Sequence, residues 1–442
     1  MHLRKIYKPL FLLLGLIGGL TSSWAQNVKV HSLDEAISIA QEGNLDLQNL
    51  ILEAQKAELE QKQAKSYRMP TITGSFGGQR NMELATTPLP AEIFGGEPGQ
   101  IVNAQFGQEY TYNAGITISK QLFNRESVIQ SKLSSMNADF VDFERATFHE
   151  LLEEQITLYY YTALLAKRAQ VIGEQDLESA ETIVELSRDK FDQGLSDAIS
   201  LNTATINANA VKQSVNANKY LENQCTSELK KLLGLRPEDE LLLTETIAYS
   251  LPESISLNEL RGSAALKSSQ LEVKQADMKV KLSQSSLWPT ASISSYHGKQ
   301  QFRNDFGLSF DNNAWTDYSY LSLNLSVPIF SGFTNRRSIK KSKFDFQKAQ
   351  NEHEKDEIYQ QLDDLRLVSD YQISLEDAVS AMDSYQLYAI NKDLTYQKFN
   401  EGLVSLDQYL KTFEDYLKAE NTYLNMLSKT YSYYSQLYPR IQ

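Results

Sequence analysis

Few of the side chains able to do chemistry are spaced to do it together. The five histidines are scattered and match no metal-ligand spacing, and the single cysteine, Cys225, lies inside a helical stretch without a disulfide partner. No Walker-type phosphate loop and no nucleophile elbow interrupts the chain. The residue types and spacings therefore point to no enzyme, no cofactor and no metal. What remains is two turns and one carboxylate. Phe191-Asp192-Gln193-Gly194-Leu195 and Phe399-Asn400-Glu401-Gly402-Leu403 share the pattern Phe-x-x-Gly-Leu. Gly194 and Gly402 supply the positive φ that ends a helix, which by itself explains them. Leu195 and Leu403 are not explained that way, because a turn tip in water gains nothing from an apolar side chain. Asp393 precedes Gly402 on the same helical run; at this point it reads equally well as one more solvated acid.

Those turns sit inside a duplication. An amphipathic stretch ends at Met69-Pro70-Thr71 and again at Trp288-Pro289-Thr290; alternating segments follow and close on Leu122-Phe123 and Ile329-Phe330. A long helical run then leads to each Gly-Leu turn, and a shorter helix follows it. The two copies recur at an offset of roughly two hundred residues, the mark of an internal repeat. The first copy is the longer, its excess lying in the proline- and glycine-rich stretch Pro88 to Gly99. The reading is a repeat over residues 26–240 with strands near 71–80 and 110–120 and a long helix over 124–192. A second covers 241–442, with strands near 290–300 and 317–328 and a long helix over 332–400.

Proline punctuates these elements. Of ten prolines none lies between Gly99 and Arg236 or between Ile329 and Tyr438, and helix interiors tolerate proline badly. Each desert has room for a helix on the order of 100 Å at about 1.5 Å per residue. Val368, Tyr371, Leu375, Val379, Met382, Tyr385 and Ala389 step by threes and fours, a packing stripe of coiled-coil type. Shorter helices are expected over Ser32–Arg68, Asp197–Leu233, Leu257–Leu287 and Ser405–Tyr438.

Tyr110, Tyr112, Ala114, Ile116 and Ile118 alternate with Thr111, Asn113, Gly115, Thr117 and Ser119; Leu321, Leu323, Leu325 and Val327 alternate with Ser322, Asn324 and Ser326. This period of two, apolar on one face and small polar on the other, describes half-buried strands. Their partners near Ile72–Gly78 and Ala291–Tyr296 are weaker. Four such strands cannot close around a lumen, since the smallest membrane barrels use about eight. An open sheet in lipid would leave its edges unsatisfied, so either the sheet packs on a soluble core or several chains share one barrel; the long flanking helices leave no obvious core to cover it, which favours sharing.

Arg4, Lys5 and Lys8, the apolar stretch Leu10–Leu20 and the small residues of Ser23-Trp24-Ala25 read as a secretory signal over residues 1–25, with the mature chain opening at Gln26. The formal charge of −13 argues against nucleic-acid binding.

The ordered set of marks resembles the TolC-like outer-membrane efflux proteins over nearly the whole mature chain. It comprises Ser32-Leu33-Asp34-Glu35-Ala36 opening the first helix, the helix–proline–strand passages at Pro70 and Pro289, Val327-Pro328-Ile329-Phe330-Ser331-Gly332, and the two Gly-Leu turns. Departures fall at element ends, where Asn44-Leu45 stands for the usual Asn-Pro and Lys120-Gln121-Leu122-Phe123 lacks the proline. The resemblance implies a mainly helical, homotrimeric protein with one twelve-stranded β-barrel in the outer membrane, continued into the periplasm as a helical tunnel. It implies passive export, as the exit duct of a tripartite efflux or type I secretion complex with a periplasmic adaptor and an inner-membrane pump. Gly194, Leu195, Gly402 and Leu403 would then be adaptor-docking tips. Asp393 would form a gate facing the lumen, with Tyr396 where some relatives carry a second acid. A periplasmic adaptor or helical scaffold is the rival reading; it predicts a separate soluble β-domain, which this chain fits poorly.

Two clusters stay outside that scheme. Arg336-Arg337-Ser338-Ile339-Lys340-Lys341 would meet anionic headgroups of the outer-membrane lipid or merely solvate a helix start, the simpler reading. Tyr431, Tyr433, Tyr434 and Tyr438 read as packing.

Overall fold

A computed structural model describes residues 27–247 and 252–441; the expected signal over 1–25 lies outside them. In chain order the elements are β1 (Asn27–Val30), α1 (Leu33–Gly43), α2 (Leu45–Ala64), β2 (Thr71–Arg80), β3 (Thr86–Pro90), β4 (Ile101–Gln105), β5 (Tyr110–Phe123), α3 (Arg125–Asp192), α4 (Ala198–Leu232), β6 (Glu240–Leu243), α5 (Ala264–Ser285), β7 (Thr290–Arg303), β8 (Thr316–Ser326), α6 (Thr334–Asn400) and α7 (Leu406–Ile441). Helix, two long strands, very long helix and helix thus run twice. The two long helices, of 68 and 67 residues, occupy the two proline deserts.

Contacts group the described residues into two compact units. One takes the stretch ending at Asn44 and the stretch opening at Tyr159; the other takes Leu45–Leu158 and the stretch beginning at Leu251.

In the first unit β1 pairs in parallel with β6, from Asn27↔Glu240 to Val30↔Leu243. α1 starts as its sequence asks: the Ser32 hydroxyl accepts the Glu35 N–H at 3.3 Å, and the Glu35 carboxylate accepts the His31 N–H at 2.7 Å. The helix expected over Ser32–Arg68 breaks at Asn44, which leaves helical geometry at φ −69 and ψ 117. Asn44 is held by its side-chain amide, which donates to the Leu232 carbonyl at 2.9 Å. Beside it Gly43 and Gly234 meet backbone to backbone, so close that a Cβ on Gly234 would lie 2.0 Å from the Gly43 carbonyl oxygen.

The second unit holds the four-stranded antiparallel sheet, in the order β2-β5-β7-β8. Register places Ile72 beside Ile118, Ile118 beside Ser295, Ser295 beside Leu321 and Ile293 beside Leu323. One face therefore carries Ile72, Phe76, Ile116, Ile118, Ile293, Leu321, Leu323 and Leu325. The other carries Thr73, Ser75, Asn113, Thr117, Ser294, Ser322 and Asn324, together with Tyr296, Tyr318 and Tyr320, whose rings pack on one another. Both faces lie open: on the apolar one Leu321 is 72% and Ile72 67% exposed, and on the other Thr73, Ser75 and Asn324 are exposed too. The proline-rich insertion, expected only as extra length, forms the two-stranded hairpin β3–β4. Pro88 and Pro90 fit there because a two-stranded ribbon has outer edges that need no N–H donor.

α6 packs along α5 and α7. Its seam departs from the expected stripe: Val368 and Tyr371 are buried, but Ser374 and Ala378 continue inward while Val379 is exposed. A straight helix repeats every 3.6 residues rather than 3.5, so a heptad stripe drifts off its partner. Tyr371 donates to the Glu253 carbonyl at 2.6 Å, and Thr430 donates to the Ser374 carbonyl at 2.9 Å. Arg440 ties down the end of α7, donating at 2.8 Å both to the Asp364 carboxylate and to the Arg261 carbonyl. The tyrosine cluster is packing: Tyr431 and Tyr438 are buried, and each meets Tyr434 edge-on. The shorter helix expected over Leu257–Leu287 begins only at α5, where the Ser263 hydroxyl accepts the Leu266 N–H.

Gly234→Ala should destabilise the protein by more than the about 1–2 kcal/mol of left-handed strain alone, because the Cβ also collides with backbone. Thermal unfolding of the detergent-extracted protein checks this; a smaller loss would show that the Gly43–Gly234 contact yields.

Candidate functional site

Each long helix turns back at its Gly-Leu sequence, one turn in each unit. At the first, Gly194 adopts φ 71; its N–H donates to the Phe191 carbonyl at 2.9 Å, and the Leu195 N–H donates to the Lys190 carbonyl at 2.8 Å. At the second, Gly402 adopts φ 73, with Gly402 bonded to Phe399 at 3.0 Å and Leu403 to Lys398 at 2.8 Å. This paired bonding is the Schellman motif, which satisfies the last carbonyls of the helix.

The next helix is capped as firmly. The Asp197 carboxylate accepts the Ser200 N–H and hydroxyl, both at 2.9 Å, bonds that hold its carboxyl below the usual carboxylate range. The Ser405 hydroxyl accepts the Gln408 N–H at 3.2 Å. Both turns are therefore fixed by hydrogen bonds on entry and exit, and each presents its leucine from a rigid base.

A third motif of the same kind shows what such a leucine does when structure alone decides. At the end of α4, Gly234 adopts φ 71 and the Leu235 N–H donates to the Lys230 carbonyl at 2.9 Å. There Leu235 is half-buried, as expected from the apolar contact that accompanies the motif. Leu195 and Leu403 remain 70% and 68% exposed. Helix termination does not account for them.

The two turns differ in their surroundings. Phe399 is buried and stacks on Tyr409 at 5.7 Å, whereas Phe191 is exposed and leads to the exposed Ile199 at the start of α4. Tyr396 also packs on Tyr409, at 5.4 Å, so it is committed to the α6–α7 seam. Asp393 is differently placed. Its side chain is 73% exposed, 3.7 Å from the ammonium of its neighbour Lys392, which lies over the Tyr416 ring at 4.2 Å. Exposed Leu387, Ile390 and Leu394 accompany Asp393 on α6, an apolar stripe that the periodicity of the sequence did not single out. Burial pushes the Cys225 thiol up to about 11, which leaves it an inert core residue. Among the described residues no group of His, Cys, Asp or Glu is placed to hold a metal ion, and no helix is long and apolar enough to cross a membrane.

A family profile described as outer membrane efflux protein matches residues 36–235 and 257–439. The chain belongs to the outer membrane efflux protein family. The two matched stretches follow the duplication. The fold is that of solved outer-membrane channels. CusC aligns with a TM-score of 0.73 at 17% identity, over 94% of this chain and 94% of its own. The CmeC channel of Campylobacter jejuni gives 0.72 at 16%, over 92% and 85%. The open MtrE channel of Neisseria gonorrhoeae gives 0.72 at 15%, over 92% and 88%. No curated protein matches in sequence. As an outer membrane efflux protein the chain is a channel of TolC-like fold in the outer membrane, not an enzyme, which sets aside the adaptor or scaffold reading.

Gly194→Ala and Gly402→Ala meet no atom within 4 Å, so each should cost only the left-handed strain of about 1–2 kcal/mol. Hydrogen exchange should show faster opening confined to the altered turn; a global loss of protection would contradict the local role.

Proposed function

We propose that three copies of this outer membrane efflux protein share one twelve-stranded barrel and one helical tunnel. In this reading residues 26–240 and 241–442 are the two repeats, each giving two strands to the barrel and one long helix to the tunnel. The carrying observation is the sheet. It has four strands, two unpaired edges at β2 and β8, and an exposed apolar face backed by one of threonine, serine, asparagine and tyrosine. Lipid tolerates no unpaired edge, and closure needs at least about eight strands. Three sheets joined β8 to β2 satisfy every edge and put the threonine, serine and asparagine face on the lumen. The exposed stripe on α6 supports the same arrangement, since a neighbouring helix would cover it.

The channel then serves as the passive exit duct of a tripartite efflux or type I secretion complex, joined through a periplasmic adaptor to an inner-membrane pump. The docking points are Gly194-Leu195 and Gly402-Leu403. Rigidly capped turns that hold an apolar side chain in water match what an adaptor hairpin needs: a fixed anchor to bury. Asp393, threefold repeated, supplies a ring of negative charge at the periplasmic entrance that favours cations. Tyr396 adds nothing to that ring, because its position is taken up in packing.

The double variant Leu195→Asp with Leu403→Asp should abolish export while the channel still assembles in the outer membrane. Export at the wild-type level from that variant would reduce both tips to plain turns. Asp393→Asn should lower the cation preference of single channels reconstituted in planar bilayers; an unchanged preference would remove Asp393 from the gate.

A further inference from the structure

Where β8 gives way to α6, the surface is poorly suited to water alone. Ile329 is 96% exposed and Phe330 76%. Phe330 meets Phe333 edge-on at 5.5 Å, and Phe333 adopts φ 64, a left-handed conformation unusual for a bulky residue. Together they form an apolar knob. Directly after it, Arg336, Arg337, Lys340 and Lys341 are all exposed.

These four cations are electrostatically misplaced within the chain. Arg336 and Arg337 lie in the first turn of α6, which holds no acid, so they face the positive end of the helix dipole. Arg336 with Lys340, and Arg337 with Lys341, are like charges four residues apart, which repel. Among the described residues no carboxylate lies within 4.0 Å of any of them, whereas Lys56, Lys231, Lys281, Lys355, Arg366 and Lys411 each find an acid on their own helix. In a chain of net charge −13, four adjacent cations without a carboxylate, only Lys340 having the Phe344 ring as a partner at 5.6 Å, call for negative charge from outside.

Continuity says where that charge comes from. The knob continues from the end of β8 whose Leu321, Leu323 and Leu325 belong to the apolar face. At the same end of the sheet, Trp288 packs at 6.3 Å from Phe123 and beneath the Arg125 guanidinium at 4.7 Å. Aromatic rings with cations beside them are the composition of a membrane–water interface. The assignment rests on the proposed barrel, which puts this end of the sheet at the periplasmic leaflet. We infer that Arg336, Arg337, Lys340 and Lys341 form a binding surface for anionic phospholipid of that leaflet. The Ile329–Phe330–Phe333 knob enters the acyl region, and the four cations meet the headgroup phosphates.

The test uses the detergent-extracted channel with added phosphatidylglycerol or phosphatidylethanolamine, the retained lipid counted by native mass spectrometry. The wild type should retain phosphatidylglycerol preferentially. Each single change, Arg337→Gln or Lys341→Gln, should lower that preference about fivefold. Arg336→Gln, Arg337→Gln, Lys340→Gln and Lys341→Gln combined should erase it. Equal retention of the two lipids by the wild type, or a preference that survives in the single and quadruple variants, would overturn the inference. The single variants each alter one exposed side chain, so they keep the test decisive where the quadruple variant fails to fold. A wild type that is no membrane oligomer sinks the shared barrel instead; a membrane oligomer indifferent to headgroup charge sinks only the lipid surface.

Discussion

The constraint on which the rest depends is that lipid offers no hydrogen bonds. A sheet of four strands has two edges, and every N–H and C=O along them needs a partner once the sheet leaves water. β2 and β8 are those edges, and the apolar face across Ile72, Ile118, Leu321 and Leu323 is suited to lipid rather than water. The proposed trimer answers that need by joining β8 of one copy to β2 of the next. The same incompleteness recurs on α6, where Leu387, Ile390 and Leu394 lie uncovered. In the proposed trimer, further copies of the chain finish both sheet and helix.

Against that incompleteness, the turns are over-determined. Each Gly-Leu turn is closed by two backbone bonds behind it and a side-chain cap ahead of it. Such capping is ordinary for a helix end; the exposed leucine is not. The half-buried Leu235, in the same backbone motif, supplies the internal comparison, and it turns the exposure of Leu195 and Leu403 from a curiosity into an argument about docking. The basic start of α6 follows the same logic with charge in place of apolar area: an uncompensated feature identifies what completes it.

The long helices and strands were legible in the sequence because their signals are covalent and periodic. Proline is disfavoured in helix interiors whatever their surroundings, Pro439 being accommodated only near the very end of α7, and alternation survives whichever face meets lipid. The Gly-Leu turns were legible because positive φ demands glycine. What escaped the sequence was set by tertiary contact. The break at Asn44 depends on a bond to Leu232, distant in the chain, and the inward shift from Val379 to Ala378 depends on where α6 meets its neighbours. The β3–β4 hairpin hid behind its prolines, which argue against strands except at open edges. The packing of Tyr396 on Tyr409, with Tyr396 still 40% exposed, also had no sequence signal.

The most direct test of the shared barrel is the mass of the mature protein extracted from the outer-membrane fraction in mild detergent. An assembly of three chains, recovered only with detergent, is the predicted result. A monomer recovered without detergent would contradict it, because an open sheet at home in water leaves no reason for three chains to close one barrel.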